Sequence, residues 1–107
     1  MESRLMPTIL TLGRYVLFFW MNEPDEPVHI HVAVRRPTEH ATKFWLTEDG
    51  GCILASNGSN PPNRELRKLA NFIALNHGRI CDAWKNVFKT DMLRFSDSRS
   101  PISTPLS

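Results

Sequence analysis

The run Val28-His29-Ile30-His31-Val32-Ala33-Val34 does more than any other to limit what this chain can fold into. Side chains alternate across a β-strand, so His29 and His31 share one face while Ile30, Val32 and Val34 take the other. One face is apolar and must be covered; the other carries two imidazoles on a rigid element. Imidazoles spaced in this way can ligate a metal, move a proton near neutral pH or hydrogen-bond a phosphate. They can equally be ordinary exposed strand residues.

The flanking segments continue the β pattern. Residues 7–12 form a β-like run, Gly13-Arg14 a tight turn, and residues 15–21 its partner, an opening hairpin. Residues 22–27 are polar, acidic and Pro-containing, a loop that delivers Asn22, Glu23, Asp25 and Glu26 just ahead of His29. After a break at residues 36–40, Phe44 and Leu46 alternate with Lys43 and Trp45, so residues 28–47 read as a second hairpin. If Phe44 and Leu46 share a core with Ile30 and Val32, odd residues must oppose odd ones, because a slip of one turns every side chain over. Lys43 and Trp45 then join His29 and His31 on one face. Glu48-Asp49-Gly50-Gly51 makes another turn, followed by a short final strand at residues 52–55.

Beyond a Gly/Ser/Asn/Pro linker at residues 57–63 the period changes. Leu66, Leu69, Ala70 and Ile73 recur at helical spacing, as do Ile80, Cys81, Trp84, Val87 and Phe88. Pro61-Pro62 suits a helix start, and Asn76-His77-Gly78 a bend or short turn between two helices. Each apolar stripe needs a partner, and the oily side of the sheet is the one at hand. The expected fold is α+β, a four- or five-stranded mainly antiparallel sheet followed by two C-terminal helices packed on one face. Residues 1–5 are an N-terminal extension, 6–90 a single domain, and 91–107 a Ser/Thr/Pro-rich tail expected to be flexible.

Composition removes several classes. A chain of 107 residues, 41% hydrophobic, has one modest core. It contains no apolar run near the roughly 20 residues of a membrane span and no apolar signal-peptide core at its start, so a cytoplasmic, membrane-independent protein is expected. Cys52 and Cys81 form no C-x-x-C pair and read as buried reduced thiols, which excludes zinc-finger and thioredoxin-like chemistry. A net charge of +2 is too small to signal nucleic-acid binding by itself. Arg64, Arg67, Lys68, Arg79, Lys85 and Lys89 gather in the C-terminal half, as a solvated helix face commonly does.

The chemistry therefore centres on the histidine strand. His29, His31, Lys43, Glu23 and Asn22 are the catalytic candidates, sufficient for general acid–base work on a phosphodiester with Lys43 holding the phosphate. Trp45 would stack a base, with Arg35 and Arg64 as further substrate-binding candidates. An ordinary strand face with Trp45 as an interface anchor fits the same residues. For a metal, His29 and His31 with Glu23, Asp25 or Glu26 supply suitable groups, but nothing in the sequence fixes a third ligand, and no metal or cofactor is assigned. His40 lies in a loop and His77 at a helix bend. No Gly-rich phosphate loop, G-x-S-x-G elbow or H-E-x-x-H helix is present.

Met6-Pro7-Thr8-Ile9, Gly13 with Tyr15, Phe19-Trp20, Asn22-Glu23 to Pro27, His29-Ile30-His31-Val32, Lys43-Phe44-Trp45-Leu46, Glu65-Leu66-Arg67 and Ala83-Trp84 together resemble the small prokaryotic domain-of-unknown-function family 4160. The resemblance implies the toxin of a toxin–antitoxin module that acts on translation, through RNA or the ribosome. Its implied partner is a cognate antitoxin, a small DNA-binding protein from a neighbouring gene. His29, His31, Lys43 and Trp45 match the family's polar-strand positions. Pro24 stands where many relatives carry a histidine, which removes a potential third imidazole. Two other functions compete with the toxin: a non-catalytic protein-binding adaptor, and a metal-dependent phosphoesterase or nuclease.

Overall fold

Strand alternation sets the architecture. In the computed structural model, which describes residues 7–97 apart from 22 and 24, the sheet is a meander of β1 (Thr8–Leu12), β2 (Tyr15–Phe18), β3 (His29–Val34), β4 (Thr42–Leu46) and β5 (Cys52–Asn57). Neighbours pair antiparallel in the order β1-β2-β3-β4-β5, which makes the histidine strand the central one. The helices α1 (Asn63–Leu75) and α2 (His77–Phe88) follow. This is the α+β arrangement expected from the sequence. Among the described residues no helix is long and apolar enough to cross a membrane.

Between β3 and β4, His29 opposes Trp45, Ile30 opposes Phe44 and His31 opposes Lys43, the odd-to-odd register that the shared core demands. Across β2 and β3, Leu17 opposes Val32 and Phe18 opposes His31. One face therefore gathers Tyr15, Leu17, Ile30, Val32, Phe44 and Leu46, which pack with Leu69 and Ile73 of α1 and Ile80, Cys81 and Trp84 of α2. The other face was expected to be polar and open, yet it holds a second buried cluster of Phe18, Ala33 and Ala41, flanked by Val16 and Trp20. Val34, assigned to the core face, is exposed because it ends its strand.

The junction of the helices rests on Asn76. Its side-chain amide donates to the Phe72 carbonyl at 2.8 Å, and its own carbonyl accepts the Ile80 N–H at 2.9 Å, closing one helix and opening the next. Gly78, anticipated as part of the break, is inside α2 with nothing near the place a Cβ would occupy.

The chain after α2 turns back onto the sheet. The Arg94 carbonyl accepts the Val28 N–H at 2.8 Å, its guanidinium donates to the Asp25 carbonyl, and the Asp97 carboxylate accepts the Glu48 N–H at 2.9 Å. Leu93 and Phe95 pack on the main core, and the Phe95 ring stacks on His77 with centroids 5.6 Å apart. Residues 91–97, which composition assigns to the tail, thus lie against the domain through two well-spaced apolar side chains. Residues 1–6, which hold the expected extension and the first residue of the expected domain, and residues 98–107, the rest of the expected tail, lie outside the described residues.

Two substitutions test this packing. Trp84 is 2% exposed and wedged against Phe19 and Phe88; Trp84→Ala should lower unfolding free energy by about 3–5 kcal/mol in denaturant titration, the usual range for emptying an aromatic core site. A Cβ on Gly58 would lie 2.3 Å from the His40 carbonyl oxygen. Gly58→Ala should therefore lower the thermal midpoint, whereas Gly78→Ala should not.

Candidate functional site

The loop after β2 turns sharply, with the Glu23 N–H on the Trp20 carbonyl at 3.3 Å and the Glu26 N–H on the Glu23 carbonyl at 3.5 Å. That turn lays the Glu23 side chain over the start of β3. Its Oε1 atom lies 2.7 Å from His29 Nε2 and 3.0 Å from His31 Nε2, so one carboxylate oxygen is shared by both imidazoles. The other nitrogen of His29, Nδ1, is 2.8 Å from the Pro27 carbonyl oxygen. A carbonyl only accepts, so Nδ1 carries a hydrogen and donates it.

Both histidines are buried, with 0% of His29 and 6% of His31 exposed, where the sequence pattern left them open to solvent. Aromatic walls account for this. Trp45 and Trp84 meet the His29 ring edge-on at 5.4 and 5.2 Å, Phe18 stacks on His31 at 5.5 Å, and Trp20 closes its side at 6.1 Å. Strand pairing aims Phe18 at His31, and the loop folding over the same face supplies the rest.

Burial pushes the Glu23 carboxyl up, but hydrogen bonds to His31 and His29, with the attraction those rings exert when protonated, outweigh it and hold it below the ordinary carboxylate value. Burial pushes His31 down; the hydrogen bond to Glu23 opposes this, the charges of His29 and Lys43 add to it, and the net shift is downward. The site at neutral pH thus pairs an ionised carboxylate with a neutral His31.

Lys43 and Trp45 stand beside this cluster but are already engaged. Lys43 Nζ donates to Glu26 Oε1 at 2.8 Å and sits 4.1 Å from the centre of the Trp45 ring. Glu26 Oε1 is also 3.8 Å from His29 Nδ1, so it links the lysine to the histidines. This pairing is the part of the site that alternation does not reveal, since Glu26 lies in the loop and its direction depends on the turn. The structure does not bring Arg35 or Arg64 to the cluster. Arg35 lies past the other end of β3, at φ 72°, with its N–H on the Arg14 carbonyl at 2.7 Å. Arg64 is exposed in the first turn of α1. Asn22 lies outside the described residues.

A cleft of about 370 Å³ touches the site through Glu26 and Trp84 and is otherwise lined by Asp25, Phe88, Thr90, Met92 and Arg94. A larger one of about 580 Å³ lies at the far end of the sheet, where Glu65 accepts from Arg14 at 2.9 Å and from the Tyr15 hydroxyl. Its rim carries Leu75, 85% exposed.

The family model described as Domain of unknown function (DUF4160) matches residues 15–85, a span that holds the whole Glu23, His29, His31, Lys43 and Trp45 cluster together with Trp84. No curated protein and no solved structure matches the chain.

Removing the shared oxygen should be felt in stability. Glu23→Ala leaves two buried imidazole nitrogens without their partner and should cost on the order of 1–3 kcal/mol in denaturant unfolding. Lys43→Met, at a half-buried pair beside solvent, should cost less than about 1 kcal/mol.

Proposed function

Because the chain belongs to the DUF4160 family, we propose, from that footing, that it is the toxin of a prokaryotic toxin–antitoxin module, inhibiting translation in the cytoplasm through RNA or a component of the translation machinery. The observation that carries a reactive role is the single carboxylate oxygen held 2.7 and 3.0 Å from two imidazole nitrogens. Such a set can exchange protons with, or hold a cation against, the oxygens of a phosphodiester. The cleft lined by Glu26 and Trp84, which both lie against His29, is the approach assigned to a ligand in this reading. A cognate DNA-binding antitoxin, encoded alongside, would silence the protein by covering this approach.

A second reading, a non-catalytic adaptor, draws on a different observation. Lys43 and Trp45, the groups suited to grip a phosphate and stack a base, are taken up by Glu26 and by each other. In that reading the cluster is a polar keystone of the domain, and the work is done by the large cleft at Arg14 and Glu65.

Induced expression of the chain without any partner, followed by incorporation of labelled amino acid, separates the two. Wild type should halt growth and protein synthesis within minutes, and a folded Glu23→Gln variant should restore both. A soluble, folded and harmless wild type would remove the toxin reading. Undiminished toxicity in folded Glu23→Gln would transfer the activity to a binding surface.

A further inference from the structure

Hydrogen-bond roles at the cluster do not balance with protein groups in their ordinary states. His29 Nδ1 donates to the Pro27 carbonyl, so in a neutral ring Nε2 bears a lone pair. That lone pair faces the carboxylate oxygen Glu23 Oε1 at 2.7 Å. Two acceptors cannot lie so close unless something positive sits between them. A proton or a bound cation fills that place, and His31 Nε2, 3.0 Å from the same oxygen, offers the cation a third donor atom.

We infer that Glu23 Oε1, His29 Nε2 and His31 Nε2 are the three protein ligands of a divalent transition-metal ion, with zinc(II) the best match to this donor set. This rests on the donor atoms and their geometry, and stands whether or not the protein is a toxin. The three atoms lie within 4.8 Å of one another, and no other group of three His, Cys, Asp or Glu side chains among the described residues does so. Zinc takes imidazole nitrogen and carboxylate oxygen at about 2.0–2.2 Å, which around a tetrahedral centre sets ligand atoms roughly 3.3 Å apart. Glu23 Oε1 is within about half an ångström of that spacing from both nitrogens, a shift that side-chain rotation supplies.

The surroundings fit a metal as well. The Pro27 carbonyl fixes the His29 tautomer through Nδ1, as the outer hydrogen bond of a metal-bound histidine ordinarily does. Aromatic rings hold both imidazoles in place, so the ligands are set before the ion arrives. Lys43 would repel a cation, but Glu26 pairs with it at 2.8 Å and leaves the charge of Glu23 for the ion. Three protein ligands leave a further position for water or substrate, the pattern of reactive rather than structural zinc sites. The competing thiol pair is incomplete: Cys81 Sγ lies 3.7 Å from His77 Nδ1, while His77 Nε2 is bonded to the Thr47 carbonyl.

The full chain, stripped with a chelator and dialysed, is titrated with Zn²⁺ against a chromophoric zinc chelator and, separately, with Co²⁺ while its visible spectrum is followed. One equivalent of Zn²⁺ should bind and raise the thermal midpoint, since a ligand of the native state stabilises it. Co²⁺ should give the d–d bands of a nitrogen–oxygen site without a thiolate charge-transfer band. Affinity should fall more than tenfold in Glu23→Gln and in His31→Gln, and remain unchanged in the Cys52→Ser, Cys81→Ser double variant. Should either ligand variant fail to fold, the wild-type stoichiometry and cobalt spectrum still decide. A folded wild type that takes up no stoichiometric Zn²⁺, a thiolate band with Co²⁺, or full affinity in folded His31→Gln would each overturn the assignment. Toxicity enters none of these readouts, so their failure leaves the proposed function to its own experiment.

Discussion

Everything distinctive in this fold follows from placing a strand with two histidines at the centre of a five-stranded sheet. A central strand has neighbours on both edges, and here it is also covered on both faces: by the helices over Ile30 and Val32, and by Phe18, Trp20 and the following loop over the odd-numbered side. Imidazoles in such a place lose water and must find partners within the protein. Glu23 and the Pro27 carbonyl are those partners, and the loop that bears them is shaped to reach back over the strand it feeds.

The charges around the pair are arranged in two steps. Glu23 serves the histidines, and Glu26 serves Lys43, so each cation or potential cation has its own carboxylate. The Lys43–Glu26 pair is half-exposed and contributes little to stability by itself. Its effect is local: it keeps an ammonium group from drawing on the Glu23 charge. Trp45 beneath Lys43 and Trp84 beside His29 exclude solvent from the same few ångströms, which strengthens every electrostatic contact there.

Much of this was legible in the sequence, and the reason is periodicity. Parity alone placed Lys43 and Trp45 on the face of His29 and His31, and helical spacing located both helices and the burial of Trp84. Parity says which face a side chain takes, not whether that face is open. The covering of His31 depends on Phe18 and Trp20, whose pairing partner is fixed only once β2 and β3 are in register. The pairing of Glu26 with Lys43 and the sharing of one Glu23 oxygen depend on loop turns that carry no period. Composition is silent on the packing of residues 91–97 for a related cause: Leu93 and Phe95 are sparse among polar residues, yet both pack on the main core while a backbone hydrogen bond to Val28 holds the segment between them.

That last contact bears on when the site comes into being. The Arg94 guanidinium holds the loop carrying Glu23 through the Asp25 carbonyl, a link between groups 69 positions apart in sequence. Contacts of such separation are slow to form, because chain entropy is spent before they return anything. During synthesis the strands can pair as they emerge, but the loop gains this brace only after residue 94 has been made. The carboxylate and its histidines are therefore among the later parts of the molecule to settle, and a nascent chain carries these side chains before it carries their arrangement.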